Sequence, residues 1–96
     1  MSATEQQNQT PDQFDCEIDT SGLRCPLPLL RAKQALKSMQ SGEVLKVLAT
    51  DPAAKPDFDA MLKHLPHTMV AYSREPSAEG NYPWVDLIFI QKGEEE

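Results

Sequence analysis

One cysteine in this chain stands where a thiol could do covalent chemistry. It lies in Gly22-Leu23-Arg24-Cys25-Pro26-Leu27-Pro28, immediately before two prolines one residue apart. Residues 29–39 then place Leu29, Ala32, Leu36 and Met39 on one side, the spacing of an amphipathic helix. Both prolines fall in its first turn. Inside a helix a proline costs about 3 kcal/mol, because it lacks an N–H and clashes with the preceding turn, but first-turn N–H groups have no intrahelical partner to lose. The prolines therefore start the helix and stiffen it. Cys25 becomes the N-cap or its neighbour, with its sulfur at the positive end of the helix dipole, where a thiolate is favoured.

How far that activation goes depends on the donors left near the sulfur. A free thiol of pKa about 8.5 is only a few per cent ionised at pH 7. Helix position and Arg24 push the value down, and Asp51, if close, pushes it up. Pro26 and Pro28 each remove an N–H, which leaves chiefly the Leu27 N–H and the bulk dipole. The expectation is a moderately activated thiol, suited to a group that must both accept and release sulfur, since a good leaving thiolate is a poorer nucleophile.

Other reactive candidates are weaker. In residues 14–19, Phe14, Cys16 and Ile18 alternate with Asp15, Glu17 and Asp19, the mark of a strand with one wet face. Cys16 then belongs to the core set and is inert. Its separation from Cys25 fits neither a CxxC pair nor a metal site, which argues against an oxidoreductase and against zinc. His64 lies off the apolar stripe of a second helix and His67 follows Pro66, so both read as surface histidines rather than partners of the thiol.

The elements that must position Cys25 follow from periodicity. After the first strand and the turn Thr20-Ser21-Gly22 comes the Cys25 helix, ended by Ser41-Gly42. Residues 44–49 are apolar apart from Lys46, as in an internal strand. Thr50-Asp51-Pro52 breaks it. A second helix carries Phe58, Met61, Leu62 and Leu65, with Pro56 in its first turn and Pro66 as its stop. Residues 68–74 and 84–91 are two more strands, joined by a long connector with a mobile tip around Gly80-Asn81. The order β-α-β-α-β-β makes a two-layer α/β sandwich, a four-stranded mixed sheet with two helices on one face. The first two strands pair in parallel through a crossover, so the loops bearing Cys25 and Asp51 open on the same sheet edge. In the last strand Val85, Leu87 and Phe89 form the expected core face. Trp84, Ile88 and Ile90 are left on the other side, partly exposed, as a docking or self-association surface. A non-catalytic regulatory or adaptor module working through that open face is the rival reading.

Composition narrows the setting. The formal charge is -6 over 96 residues, enough for one small domain. Glu5, Asp12 and the tail 94–96 hold much of the acidity, so the folded part is nearly neutral. Residues 1–13 are too polar to offset the entropy of ordering and read as a disordered tail. Between residues 22 and 55 the bases Arg24, Arg31, Lys33, Lys37, Lys46 and Lys55 face only Glu43 and Asp51, a locally basic neighbourhood that fits an acidic partner or an anionic group. No apolar run approaches the roughly 20 residues of a membrane span, and no signal pattern opens the chain. A cytoplasmic protein, monomeric or weakly oligomeric, is expected. Direct nucleic-acid binding is not, because the domain is near neutral and poor in aromatics.

The stretch 22–28 resembles the CPxP signature of the TusA/SirA family of sulfur-carrier proteins. Ala49-Thr50-Asp51-Pro52 resembles that family's second characteristic segment, with Asp57-Phe58 at the expected distance beyond it. The resemblance spans about residues 14–92, within a single domain of 14–93. It implies that Cys25 accepts sulfur as a cysteine persulfide, without a cofactor or metal. The protein would then be a sulfurtransferase that works as a carrier rather than a high-turnover catalyst. Arg24 would favour the anionic forms of the sulfur and steer docking, Pro26 and Pro28 would fix the exposure of the cysteine, Asp51 would cap the second helix or shape the rim unless it is a plain Asp-Pro turn, and Gly22 belongs to the supporting set. The implied partners are a cysteine desulfurase or rhodanese-like donor and a downstream acceptor protein, for example on the way to 2-thiolation of tRNA wobble uridines. At Leu27 the best-studied carriers have an acidic residue instead.

Overall fold

The computed structural model describes residues 14–77 and 81–94. The expected N-terminal tail and the tip of the long connector lie outside the described residues. The elements are β1 (Cys16–Thr20), α1 (Leu27–Lys37), β2 (Val44–Ala49), α2 (Ala54–Leu62), β3 (Thr68–Pro76) and β4 (Trp84–Gln91). They form one four-stranded sheet in the order β1-β2-β4-β3. β1 and β2 are parallel, with Cys16 opposite Leu45 and Thr20 opposite Ala49, and the two other pairings are antiparallel. The expected mixed sheet and order of elements are both present. Among the described residues no helix is long and apolar enough to cross a membrane.

The core lies between the sheet and the helices. Leu45, Val47 and Ala49 point to it from β2, Ala32 and Leu36 from α1, and Ala54 and Phe58 from α2. Cys16 packs against this cluster, as the alternation in the first strand requires.

The expected sidedness of β4 is reversed. Residues directly opposite each other in a sheet share a face, and Ile88 lies opposite Val47, Ile90 opposite Leu45. Both isoleucines therefore belong to the core. Leu87 and Phe89, opposite Leu48 and Lys46, take the outer face. Asp86 lies on the same side of the strand as Ile88 and Ile90. Asp86 is fully buried, and Arg74 Nε (2.8 Å), Arg74 Nη2 (3.2 Å) and the Tyr72 hydroxyl (2.9 Å) all donate to its carboxylate. A buried charge needs such partners. Trp84 alternates onto the same side as Asp86, and the Arg74 guanidinium stacks 3.7 Å from its ring centroid. The surface proposed around Trp84, Ile88 and Ile90 is thus not an open face.

Three further expectations are corrected. Phe14 precedes β1 and leaves the core set: the Lys46 ammonium sits 5.0 Å from its ring and 5.9 Å from that of Phe89, on the outer face. His67 is buried, not at the surface, and its Nδ1 accepts the Gly93 N–H at 3.0 Å. Finally, α1 stops at Ser38, and Gly42, with φ +93°, turns the chain further on instead of capping the helix.

Candidate active site

The parallel pairing of β1 with β2 brings the two loops together as the topology requires. Cys25 N–H donates to Asp51 Oδ2 at 2.7 Å, and Gly22 N–H donates to Thr50 Oγ1 at 2.9 Å. Asp51 Oδ1 also accepts the Ala53 N–H at 3.0 Å. Asp51 therefore ties the cysteine loop to the start of α2, and these two backbone bonds hold its carboxyl below the ordinary carboxylate range. Gly22 has φ +84°, the left-handed region that favours glycine, and a Cβ there would stand 2.6 Å from the Tyr82 hydroxyl oxygen. The backbone angle selects glycine at this position; a Cβ would in addition require the Tyr82 side chain to shift.

Pro26 is the N-cap of α1 and Pro28 lies in its first turn, so Cys25 sits one residue outside the helix. The peptide joining Cys25 to Pro26 is cis. Pro28 is buried, whereas Pro26, Leu27 and Arg24 are exposed and Cys25 is half-buried. The Leu27 N–H, expected to face the sulfur, donates instead to the Arg24 carbonyl at 2.9 Å. With that donor consumed and two others absent, little of the helix start remains to stabilise a thiolate.

The thiol is in fact turned the other way. Burial is the largest cause, followed by a hydrogen bond to the Asp57 carboxylate and by the charges of Asp51 and Asp57, and together they push Cys25 up to about 12. The expected moderate lowering is overturned. The locally basic neighbourhood does not reach the sulfur either, because the charges facing it are two carboxylates. Arg24 is felt by Asp51. Asp57 is the residue whose role the sequence reading missed. It lies in the first turn of α2, beside the core residue Phe58, and the helix leaving the Asp51 loop carries it back to Cys25. A charge count that extended one helical turn past Lys55 would have included it.

A pH dependence follows. In the unfolded chain a thiol ionises near about 8.5, whereas the folded protein holds this proton to about 12. The folded state binds the proton more tightly, so this contribution to stability is full below pH about 8.5 and is lost as pH climbs from there toward 12. In alkylation by iodoacetamide followed by peptide mass spectrometry, Cys25 of the native protein remains slow at pH about 9 and accelerates further above pH about 10. The urea-unfolded chain has by then approached its plateau. A native profile that levels off near pH 9 contradicts the carboxylate environment.

A shallow hollow of about 240 Å³ adjoins the site, bounded by Arg24, Thr50, Asp51 and Tyr82 among others. Among the described residues no group of three or more His, Cys, Asp or Glu side chains is arranged to hold a metal ion. Cys16 and Cys25 are both free thiols.

Comparison with known proteins places this site in a family context. The family model described as sulfurtransferase TusA matches residues 16–82. The sulfur carrier protein TusA of Allochromatium vinosum is 52% identical over 62 residues, covering 65% of this chain and 82% of that protein. Among solved structures, a SirA-like protein from Desulfitobacterium hafniense has a TM-score of 0.61 and 26% identity, covering 83% of this chain and 100% of the other.

Proposed function

Because the chain belongs to the sulfurtransferase TusA family, we propose that it carries sulfur as a persulfide on Cys25, taken from a protein donor and passed to a protein acceptor. The observation that carries this reading is the placement of Cys25. Cys25 stands on the loop that meets the Asp51 loop at the sheet edge, whereas Cys16 lies within β1; both thiols are half-buried and both touch the core cluster.

In the loading step Cys25 Sγ attacks the outer sulfur of the donor's persulfide. The new bond joins Sγ to that sulfur, and the bond between the donor's outer and inner sulfurs breaks. The inner sulfur leaves with the electron pair and takes up the proton that Cys25 gives up. Cys25 is oxidised to the persulfide level and the donor's inner sulfur is reduced to a thiol, so no external oxidant is needed. Unloading repeats the exchange with an acceptor thiolate attacking the terminal sulfur and Cys25 leaving. A thiolate of high basicity is a poor leaving group, so the sulfur is retained until Cys25 is protonated as it departs. A cysteine desulfurase or rhodanese-like protein is the donor in this proposal. The acceptor is a second protein's thiol, as in routes that end in 2-thiolation of tRNA wobble uridines.

The test is direct. After incubation with a cysteine desulfurase and cysteine, the Cys25 peptide gains the mass of one sulfur atom, the Cys16 peptide does not, and dithiothreitol removes the gain. A Cys25 peptide left unmodified by both a desulfurase and a rhodanese-type donor overturns the proposal.

A further inference from the structure

The outer face of the sheet and the helix layer carry opposite charge. Register puts Glu17 and Asp19 of β1 on the outer face, beside Lys46 and Leu48 of β2, and Glu75 of β3 stands there opposite Val85 of β4. All three carboxylates are exposed, and none has an ion pair among the described residues. The base of this face, Lys46, is taken up by the rings of Phe14 and Phe89. α1 is the reverse: it exposes Arg31, Lys33 and Lys37 and contains no acid.

At the end of the sheet nearest the Cys25 loop, the outer face sinks into a hollow of about 320 Å³. Leu48, Val85 and Pro76 give it apolar surface, and Asp19, Thr50 and Tyr82 give it polar groups. The charge at its edge is fixed in place. The Ser21 hydroxyl and the Ser21 N–H, the latter at 2.9 Å, both donate to the Asp19 carboxylate, which holds it below the ordinary carboxylate range and therefore ionised. Thr50 and Tyr82 are shared with the smaller hollow beside Arg24 and Asp51, and Thr50 Oγ1 accepts the Gly22 N–H at 2.9 Å. An occupant of the outer hollow thus touches the supports of the loop that bears Cys25.

We infer that this hollow is the docking site for a basic segment of a partner protein, an arginine or lysine flanked by an aliphatic residue. The base pairs with Asp19, and the aliphatic side chain covers Leu48 and Val85. A volume at the small end of ligand pockets suits the side chains of a short segment. Glu17 and Glu75 add to the negative potential around it and turn an acidic segment away; the bases of α1 match that kind of partner instead. Two proteins of opposite charge therefore reach the Cys25 loop from two sides without sharing one surface. That the basic partner exchanges sulfur with Cys25 rests on the carrier reading, whereas the docking itself does not.

The test uses the peptide acetyl-Gly-Leu-Arg-Leu-Arg-Gly-amide, titrated into the full-length nitrogen-15-labelled protein and followed by amide chemical shifts, with acetyl-Gly-Leu-Glu-Leu-Glu-Gly-amide as the control. No sulfur compound is present, so failure here is distinct from failure of the loading assay. The basic peptide shifts the amides of Ser21, Leu48 and Val85 and saturates; the acidic peptide leaves them in place. Asp19→Asn weakens binding about two- to fivefold, the range for one exposed ion pair. Leu48→Lys, which sets a like charge in the hollow, weakens it about tenfold or more. Lys37→Glu, in the other layer, leaves it unchanged. Asp19 is exposed, so Asp19→Asn folds and carries the comparison even where Leu48→Lys does not. Shifts confined to α1, no saturation by about 5 mM peptide, or an affinity that Asp19→Asn leaves unaltered overturns the proposal. Sedimentation of the protein alone covers the other occupant: a dimer that Leu48→Lys dissolves means that a second copy fills the hollow, which also overturns it.

Discussion

Replacing Cys25 with serine removes sulfur uptake altogether while the domain stays folded. In the desulfurase loading assay the variant gains no sulfur, because a hydroxyl oxygen does not form the sulfur–sulfur bond that holds the cargo. The loss is complete, not partial, since the second thiol does not stand in: Cys16 lies within β1, and Cys25 is the one on the loop at the sheet edge. Stability changes little. The main anchors of this loop are the Cys25 N–H bond to Asp51 and the turn at Arg24, and both are backbone groups that serine keeps. Because the half-buried Cys25 side chain also packs against the core cluster, unfolding in urea should move by about 1 kcal/mol or less. Cys16→Ser retains loading, with a stability change of similar size, because both cysteines are half-buried against the core cluster. Sulfur found on Cys16 of the Cys25→Ser variant would remove Cys25 from the centre of the mechanism.

Phe58→Ala is expected to give the largest loss of stability, about 3–5 kcal/mol, the range for truncating a buried aromatic. Phe58 is 0% exposed and is the largest of the fully buried side chains. Domains of this size hold about 5–15 kcal/mol in all, so the change removes a large share. Besides Phe58, the helix packs through the small buried Ala54 and the half-buried Met61 and Leu62. α2 is nine residues long and has no side-chain cap at its N-terminus, and a helix this short is marginal without tertiary packing. The effect reaches function through Asp57, whose position beside Cys25 depends on the same anchor. The urea midpoint should fall sharply, and Cys25 alkylation in the remaining folded protein should speed up. Phe58→Leu, which keeps most of the buried volume, should lose well under half as much. A midpoint for Phe58→Ala close to that of wild type would mean that α2 is held by other contacts.

Some of this molecule could be read from the chain alone because the signals are local or topological. Residue spacing marked both helices and all four strands, and the bounds 44–49 and 84–91 agree with β2 and β4 as observed. The meeting of Cys25 with Asp51 required only that two consecutive strands joined by a helix lie parallel, since loops leaving the same ends of adjacent strands share an edge. Membership of a sulfur-carrier family was legible in Cys25-Pro26-Leu27-Pro28 and the Asp51-Pro52 segment, which record backbone and loop requirements in residue type.

What the chain concealed depends on pairings and fields that act through space. The face of β4 was undecidable by alternation, because both of its sides carry apolar residues, and the buried Asp86 on the core side is met by Arg74 and Tyr72, brought alongside by β3. Cross-strand register made that decision. The state of the Cys25 thiol was hidden for a similar reason. Local sequence offered a helix start and a neighbouring arginine, both favouring ionisation, but charge is felt by distance in the folded molecule, and folding sets two carboxylates at the sulfur while the Leu27 N–H turns to Arg24. The sequence by itself determined which cysteine stands at the start of α1. Tertiary structure alone decided which charges act on it, because they come from residues 51 and 57, distant in the chain and carried to the sheet edge by the β2–α2 loop and α2.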